Sequence, residues 1–308
     1  MTLFEQLAAL QTEAINPRTT EIDLASTRDV VAMLHAEDRT VADAVGLVLD
    51  DVATAVDLVA TALAAGGRLI YVGAGTSGRL GIVDASEMPP TYGTEPYMVQ
   101  GLIAGGPNAV FRSVEGAEDS PQQAVADLNS IEPSPLTSLD VVCGLTASGR
   151  TPYVLGAIRH AHTLGCPTIL VSTNPKDVVR THCPEADVLI CPVVGPEPIT
   201  GSTRMKSGTA QKMILNMITT ASMVRIGKTY GNVMVDLQLT NEKLVERARK
   251  IVMTLGNVDY EGATQLLADA EGHVKTALVM AAHSCSREEA LNRLALSNGH
   301  VRNSVTSG

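Results

Sequence analysis

The sequence predicts an α/β protein, a doubly wound parallel sheet of about five strands with flanking helices, followed by a small helical module. Three observations point there. Between Arg68 and Gly227, short apolar runs alternate with segments of helical spacing, the pattern of a parallel sheet covered on both faces. Of 308 residues, 45% are hydrophobic but only 3% aromatic, with no Trp and two Phe, so the core is aliphatic, as in fully covered parallel strands. Beyond Thr240 the strand signals cease and only helical spacing continues.

Residues 41–64 carry helical apolar spacing, with Thr40 as N-cap and Gly66-Gly67 as the stop. RLIYVG, from Arg68, is a short buried strand; a glycine-rich turn follows, then a helix over GRLGIVDASE ended by Pro89-Pro90. MVQGLIAG is a second strand, and AVFRSVEGAED and QQAVADLNSI read as helical. DVVCGLTAS runs as a third strand into a small-residue turn. Thr151-Pro152 then opens the helix YVLGAIRHAHTLG, Thr as cap and Pro at the first helical position. PTILVST and DVLICPVVG complete the set of strands, and RMKSGTAQKMILNMITTASMVRIG is one long helix stopping at Gly227. Short helices are expected over 241–255, 260–270, 274–283 and 286–297, the last opened by the capping box Ser286-x-x-Glu289.

The net charge is −10 and no Lys/Arg cluster builds a basic face, which argues against nucleic acid as a partner. No run approaches the ~20 apolar residues of a membrane span, and the N-terminal stretch carries acids where a secretory signal would carry basic residues. The five cysteines, 143, 166, 183, 191 and 285, have no C-x-x-C partnering, so reduced thiols in a cytoplasmic protein, with no zinc site, are expected. His160 and His162 are two apart on a helix and point to different faces, so they do not form a metal pair.

Within YVGAGTSGR, Gly73, Gly75 and Gly78 complete the G-x-G-x-x-G of a dinucleotide turn. That fingerprint also wants an acid ending the second strand to hold the ribose, but here the strand ends in LIAGG. A related turn, TASGRTP, places a second Ser-Gly-Arg 71 residues later. Two turns rich in Gly, Ser and Thr, each leading into a helix, offer backbone N–H groups and hydroxyls to one anion from two sides. The expected ligand is a phosphomonoester, and NAD is not expected. For any one of Thr76, Ser77, Ser148 and Thr151, helix capping is the competing role.

TASGRTP resembles the Ser/Thr phosphate loop of SIS (sugar isomerase) domains. GPEPITGSTRMKSGTAQK, residues 195–212, is similar to a longer signature of the bacterial N-acetylmuramic acid 6-phosphate etherases and the related vertebrate glucokinase regulatory proteins. GAGTSGRLGIVDASEMPPTYG, VEGAEDS, EIDLAST and HAEDRTVADAV resemble the etherase pattern in order and spacing, over roughly residues 20–300. Met88 and the extreme termini are individual to this chain. The regulatory relatives are about twice as long, with tandem SIS domains, so a single copy favours the enzyme. The resemblance divides the chain into an N-terminal helical segment (1–55), a SIS domain (56–230), a connecting helix (231–257) and a small UBA-like helical module (258–308).

What the resemblance implies is cleavage of the D-lactyl ether at C3 of an amino sugar phosphate, by elimination and then hydration. That chemistry needs two proton-transfer groups and no redox or metal cofactor. By family likeness Glu87 is the proton donor and Glu118 the second acid/base group. Glu87 stands where the short helix must stop, and the negative end of the helix dipole there suits a proton donor. From spacing alone Glu115 and Asp119 compete with Glu118. The phosphate contacts are Ser77, Ser148 and Thr151, with Gly149 in the turn and Thr76 and Thr146 beside them. Arg79, Arg150, Arg204 and Lys206 are candidate cations for the phosphate and the lactyl carboxylate, though Asp84 and Glu197 compete for them as partners. A sugar phosphate isomerase and a non-catalytic sugar-phosphate sensor are the alternative functions. SIS folds commonly pair, and the apolar long helix agrees, so a homodimer is expected, in which the active site can be completed across the interface.

Overall fold

A computed structural model describes residues 11–239 and 241–306. All five residues of β1 (Leu69–Gly73) are buried, which requires cover on both faces of the sheet. Ile70 and Val72 look to one side, into a core with Leu128, Tyr153, Val154 and Ile158. Tyr71 looks to the other, where its hydroxyl donates to Asp84 Oδ2 (3.0 Å). The sheet is wholly parallel, in the order β2 (Val99–Ile103), β1, β3 (Val141–Leu145), β4 (Thr168–Val171), β5 (Val188–Ile190). The doubly wound five-stranded expectation therefore holds. The chain first steps from β1 to β2 and then crosses back to place β3 on the other side of β1, so the switch in winding falls between β1 and β3.

At the entrance to these two strands Arg68 spends all five N–H donors. Its Nε and one Nη2 hydrogen go to Asp140 (2.9 and 2.8 Å), the others to the carbonyls of Glu132, Ser134 and Pro135. The fork matches a carboxylate bidentately in a buried setting. It fixes β1 against β3 in the register Leu69↔Val141 to Gly73↔Leu145.

The helices preceding the sheet differ from expectation in their division. Instead of one helix from Thr40, there are α1 (Thr27–Gly46) and α2 (Leu49–Ala64). Ser26 is the N-cap, accepting from Asp29 N. Thr40 lies inside α1, its hydroxyl turned back to Glu37 O (2.8 Å), the local bond by which mid-helix Thr competes with a cap. Following β1 come α3 (Gly75–Ser86) and α4 (Met88–Tyr92). Pro89-Pro90 thus ends one helix and lies in the first turn of the next, where a missing N–H costs nothing. AVFRSVEGAED is not one helix: α5 (Asn108–Phe111) stops at Arg112, and a 3-10 turn (Ala117–Asp119) begins only after Gly116 takes φ 73°. Next in order are α6 (Pro121–Asn129), α7 (Pro152–Thr163), α8 (Lys176–His182) and α9 (Lys206–Arg225).

The chain divides into two compact units. One holds the described residues up to Ser86 with Tyr97–Thr219; the other holds Glu87–Pro96 with the described residues from Thr220. The second unit contains a two-residue-per-strand hairpin, β6 (Thr229–Tyr230) and β7 (Val233–Met234), absent from the sequence expectation. It also contains α10 (Glu242–Gly256), α11 (Tyr260–Asp269), α12 (Val274–His283), α13 (Arg287–Leu296) and α14 (Val301–Thr306). Ile251 and Val252 of α10, expected as a connector, share one core with Leu267, Leu278 and Leu294. Ser286 caps α13 as expected, but the Glu289 carboxylate turns to Arg293 instead of closing the box. In the same unit Asp236 accepts from Lys228 and Lys275 (2.8 Å each) and faces His273 Nε2 at 3.4 Å. Burial pushes this carboxyl up, but His273 and the two ammoniums together hold it well below the usual carboxylate range.

Candidate active site

Because β1 and β3 are neighbours, Gly73 pairing Leu145, the two Ser-Gly-Arg turns leave the sheet side by side at the carboxyl ends of their strands. In an open α/β sheet that crevice is where ligands gather. In the first turn the chain doubles tightly: a β-carbon on Gly78 would stand 2.8 Å from Gly73 O and 2.7 Å from Ile103 Cγ1. Ser77 Oγ donates to Gln211 Oε1 on α9 (2.8 Å), and the Thr76 methyl abuts Gly208 of the same helix. Neither hydroxyl bonds the first turn of α3 as a cap.

The second turn is a hydroxyl cluster. Thr146 Oγ1, buried, lies 2.8 Å from Thr151 Oγ1 and 3.3 Å from Ser148 Oγ, and accepts from Gly149 N (3.2 Å). Ser148 Oγ accepts from Arg150 N (3.2 Å). Thr151 occupies the N-cap position of α7, but its hydroxyl makes no capping bond, so the capping role considered for it fails on geometry. Gly149 takes φ 74°, and a β-carbon there would lie 2.8 Å from Val179 Cγ2, so both conformation and space demand glycine. The end of β4 holds this turn from beneath. Ser172 Oγ and Thr173 Oγ1 donate to Ala147 O, and Asn174 Nδ2 to Ser148 O (3.2 Å). Sequence reading missed these three residues; the available signal was their place at the carboxyl end of a neighbouring strand.

Of the two carboxylates, Glu118 is brought to the first turn. It stands exposed on the 3-10 turn and shares a narrow cleft with Gly75, Arg79, Ala104, Ala109 and Ser113. Arg79 is fixed in that cleft by Nε and Nη2 bonds to Val110 O (2.9 Å) and Ala109 O (2.8 Å). The rival Glu115 accepts instead from Ser113 Oγ (2.9 Å). Glu87 is exposed, directly follows α3 and occupies the N-cap position of α4 without a capping bond. It is the first residue of the second unit.

The four cations differ. Arg150 is half-buried and near enough to His182 to add to the burial that lowers the imidazole's pKa. Arg204 is exposed. Lys206, expected to meet the substrate, is fully buried, its Nζ on Glu37 Oε2 and Val194 O (2.8 Å each). An ammonium so committed has no free face for a phosphate, which corrects that expectation. Glu37 also accepts from Asn16 Nδ2 (2.8 Å) and from Arg18 through Nε and Nη2. With Arg18, Lys206 and Asn16 around it, its carboxyl falls to about 2 despite burial. The proposed acidic partners of the arginines are otherwise occupied. Asp84 accepts from Tyr71, Asn216 and Thr219, and burial raises its pKa. Glu197 caps α9, accepting from Lys206 N (2.8 Å) and Ser207 N (2.9 Å).

A five-stranded parallel sheet wound in this order, with hydroxyl turns at its switch point, defines a SIS-type domain. The model for the glucokinase regulatory protein N-terminal SIS domain matches residues 51–162. Among curated relatives, the N-acetylmuramic acid 6-phosphate etherase of Salinibacter ruber is 53% identical over 98% of this chain and 96% of its own. Those of Mycolicibacterium smegmatis and Pectobacterium atrosepticum are 51% and 49% identical, over 98% of this chain and 99% and 98% of theirs. The chain belongs to the N-acetylmuramic acid 6-phosphate etherase family.

Proposed function

We propose that this protein is an N-acetylmuramic acid 6-phosphate etherase, a carbon–oxygen lyase of cell-wall amino-sugar recycling. Identity of about half the residues across nearly the full length of relatives bearing that name carries the reading. The hydroxyls of Ser77, Ser148 and Thr151, with Thr76, Thr146 and the Gly149 turn, receive the 6-phosphate at the helix N-termini. Arg79 and Arg150 supply local positive charge in an otherwise acidic chain, and Arg204 is the exposed candidate for the lactyl carboxylate. Lys206 contributes by ordering the start of α9.

In the proposed reaction, opening of the sugar ring exposes the C1 aldehyde and acidifies the C2 proton. A carboxylate base takes that proton, the C3–O bond breaks, and the departing lactate oxygen is protonated. Water then adds across the alkene, oxygen to C3 and hydrogen to C2, giving N-acetylglucosamine 6-phosphate and D-lactate. Glu87 is the proton donor and Glu118 the second acid/base group, each role resting on family likeness; the shared cleft with Arg79 additionally favours Glu118 over Glu115. No helix among the described residues is long and apolar enough to cross a membrane, and we place the enzyme in the cytoplasm as a homodimer.

Incubation of the purified protein with N-acetylmuramic acid 6-phosphate should release D-lactate in proportion to enzyme. Absence of lactate from folded protein would refute the assignment, and a ketose product from glucosamine 6-phosphate instead would favour an isomerase. Glu87→Ala should bind sugar phosphate and lose nearly all turnover.

A further inference from the structure

The signature over 195–212 ends in Ala-Gln-Lys, and the proposed chemistry leaves its glutamine without a role. Gln211 is 1% exposed on α9. Its Oε1 accepts from Ser77 Oγ at 2.8 Å, while its Nε2 is buried with no hydrogen-bond partner. Leaving a buried amide N–H unmade is costly. The helix is held firmly in this place: the Glu197 carboxylate caps its start through two backbone N–H bonds, and Gly208 packs on Thr76.

Ser77 has one hydroxyl hydrogen and, in this arrangement, gives it to Gln211. A phosphate oxygen is acceptor-only, so Ser77 must redirect that hydrogen to bind it. Half a turn of the terminal amide exchanges Oε1 and Nε2 with little change in heavy-atom positions. Nε2–H then donates to Ser77 Oγ, and the hydroxyl hydrogen is released towards the phosphate. We infer that Gln211 is a positioning residue: without ligand it accepts the Ser77 hydroxyl hydrogen, and with ligand it donates to Ser77 Oγ so that Ser77 donates to the phosphate. The inference rests on the phosphate-binding reading of the first turn.

The test is a double-mutant cycle on the Kd of N-acetylglucosamine 6-phosphate, measured by calorimetry for wild type, Ser77→Ala, Gln211→Met and the double variant. Met conserves volume, and circular dichroism with the thermal midpoint checks folding. Each single change should weaken binding roughly tenfold, the scale of one hydrogen bond to a charged group. The double variant should bind no more weakly than Ser77→Ala alone. Near-isosteric Gln211→Glu offers only acceptors, so it should weaken binding more than Gln211→Met and raise KM with kcat largely kept. Full additivity of the Gln211→Met loss on Ser77→Ala, or wild-type affinity in Gln211→Glu, overturns the positioning role alone. Unchanged affinity in Ser77→Ala overturns the phosphate reading of the first turn and the inference with it.

Discussion

Glu37 should make the SIS-type unit acid-sensitive in a way that a single substitution can isolate. Its carboxylate is 2% exposed and accepts from Asn16, Arg18 and Lys206, which brings its pKa from an ordinary 4.5 to about 2. A depressed carboxyl contributes stability that is complete above its unfolded pKa and lost as pH falls through the folded one. At about 1.4 kcal/mol per unit, the contribution is about 3 kcal/mol at neutral pH and about 1 at pH 3. The Arg18 side chain is 59% exposed, so water screens part of its pull and these figures are upper bounds. In Glu37→Gln, which does not titrate, this contribution is absent, and the buried Lys206 ammonium loses its counter-charge. The chain has no Trp, so urea unfolding of both proteins is followed by far-UV circular dichroism from pH 7 to pH 3. The stability gap between them should narrow by about 2 kcal/mol across that range. A gap independent of pH would refute the linkage.

Two further outcomes follow from the geometry. Gly149→Ala forces an L-residue to φ 74° with its β-carbon 2.8 Å from Val179; it should cost about 1–2 kcal/mol of stability and weaken N-acetylglucosamine 6-phosphate binding more than tenfold, and calorimetry showing wild-type affinity would count against the turn as a phosphate site. Asp236→Asn leaves Lys228 and Lys275 facing one another around a neutral amide, at about 3 kcal/mol; hydrogen-exchange protection factors in α12, corrected for the intrinsic rate at each pH, should fall in the variant, and in the wild type they should fall as pH drops below the ordinary Asp value, with unchanged protection refuting the role.

What could be read from the chain alone followed how local the cause was. The strands were visible because each is a continuous aliphatic run, and the two hydroxyl-bearing turns because Ser-Gly-Arg recurs after two of them. The Thr40 cap was misread because Thr serves equally as a cap and as a mid-helix residue bonding its own backbone. Residues 109–119 have acceptable helical composition, yet Gly116 in a left-handed conformation divides them. Lys206 lay in a signature with the residues of the turn, and spacing gave no hint that Glu37, 169 residues earlier, holds its ammonium. The link from Gln211 to Ser77 was likewise invisible, because the two lie 134 residues apart in sequence.

The Arg68–Asp140 clamp joins residues 72 positions apart, and closing a chain segment of that length costs about 4 kcal/mol of loop entropy by the (3/2)RT ln n scaling. The two turns become neighbours only once that segment has closed, so a chain with either strand unplaced has half a binding site. Under the proposed phosphate reading, a sugar phosphate held by both turns selects the closed topology, with a stabilisation that grows with ligand concentration as RT ln(1 + [L]/Kd). The clamp sits at the opposite ends of the strands from the two turns, so a contact remote from the proposed phosphate site latches the strands that carry it.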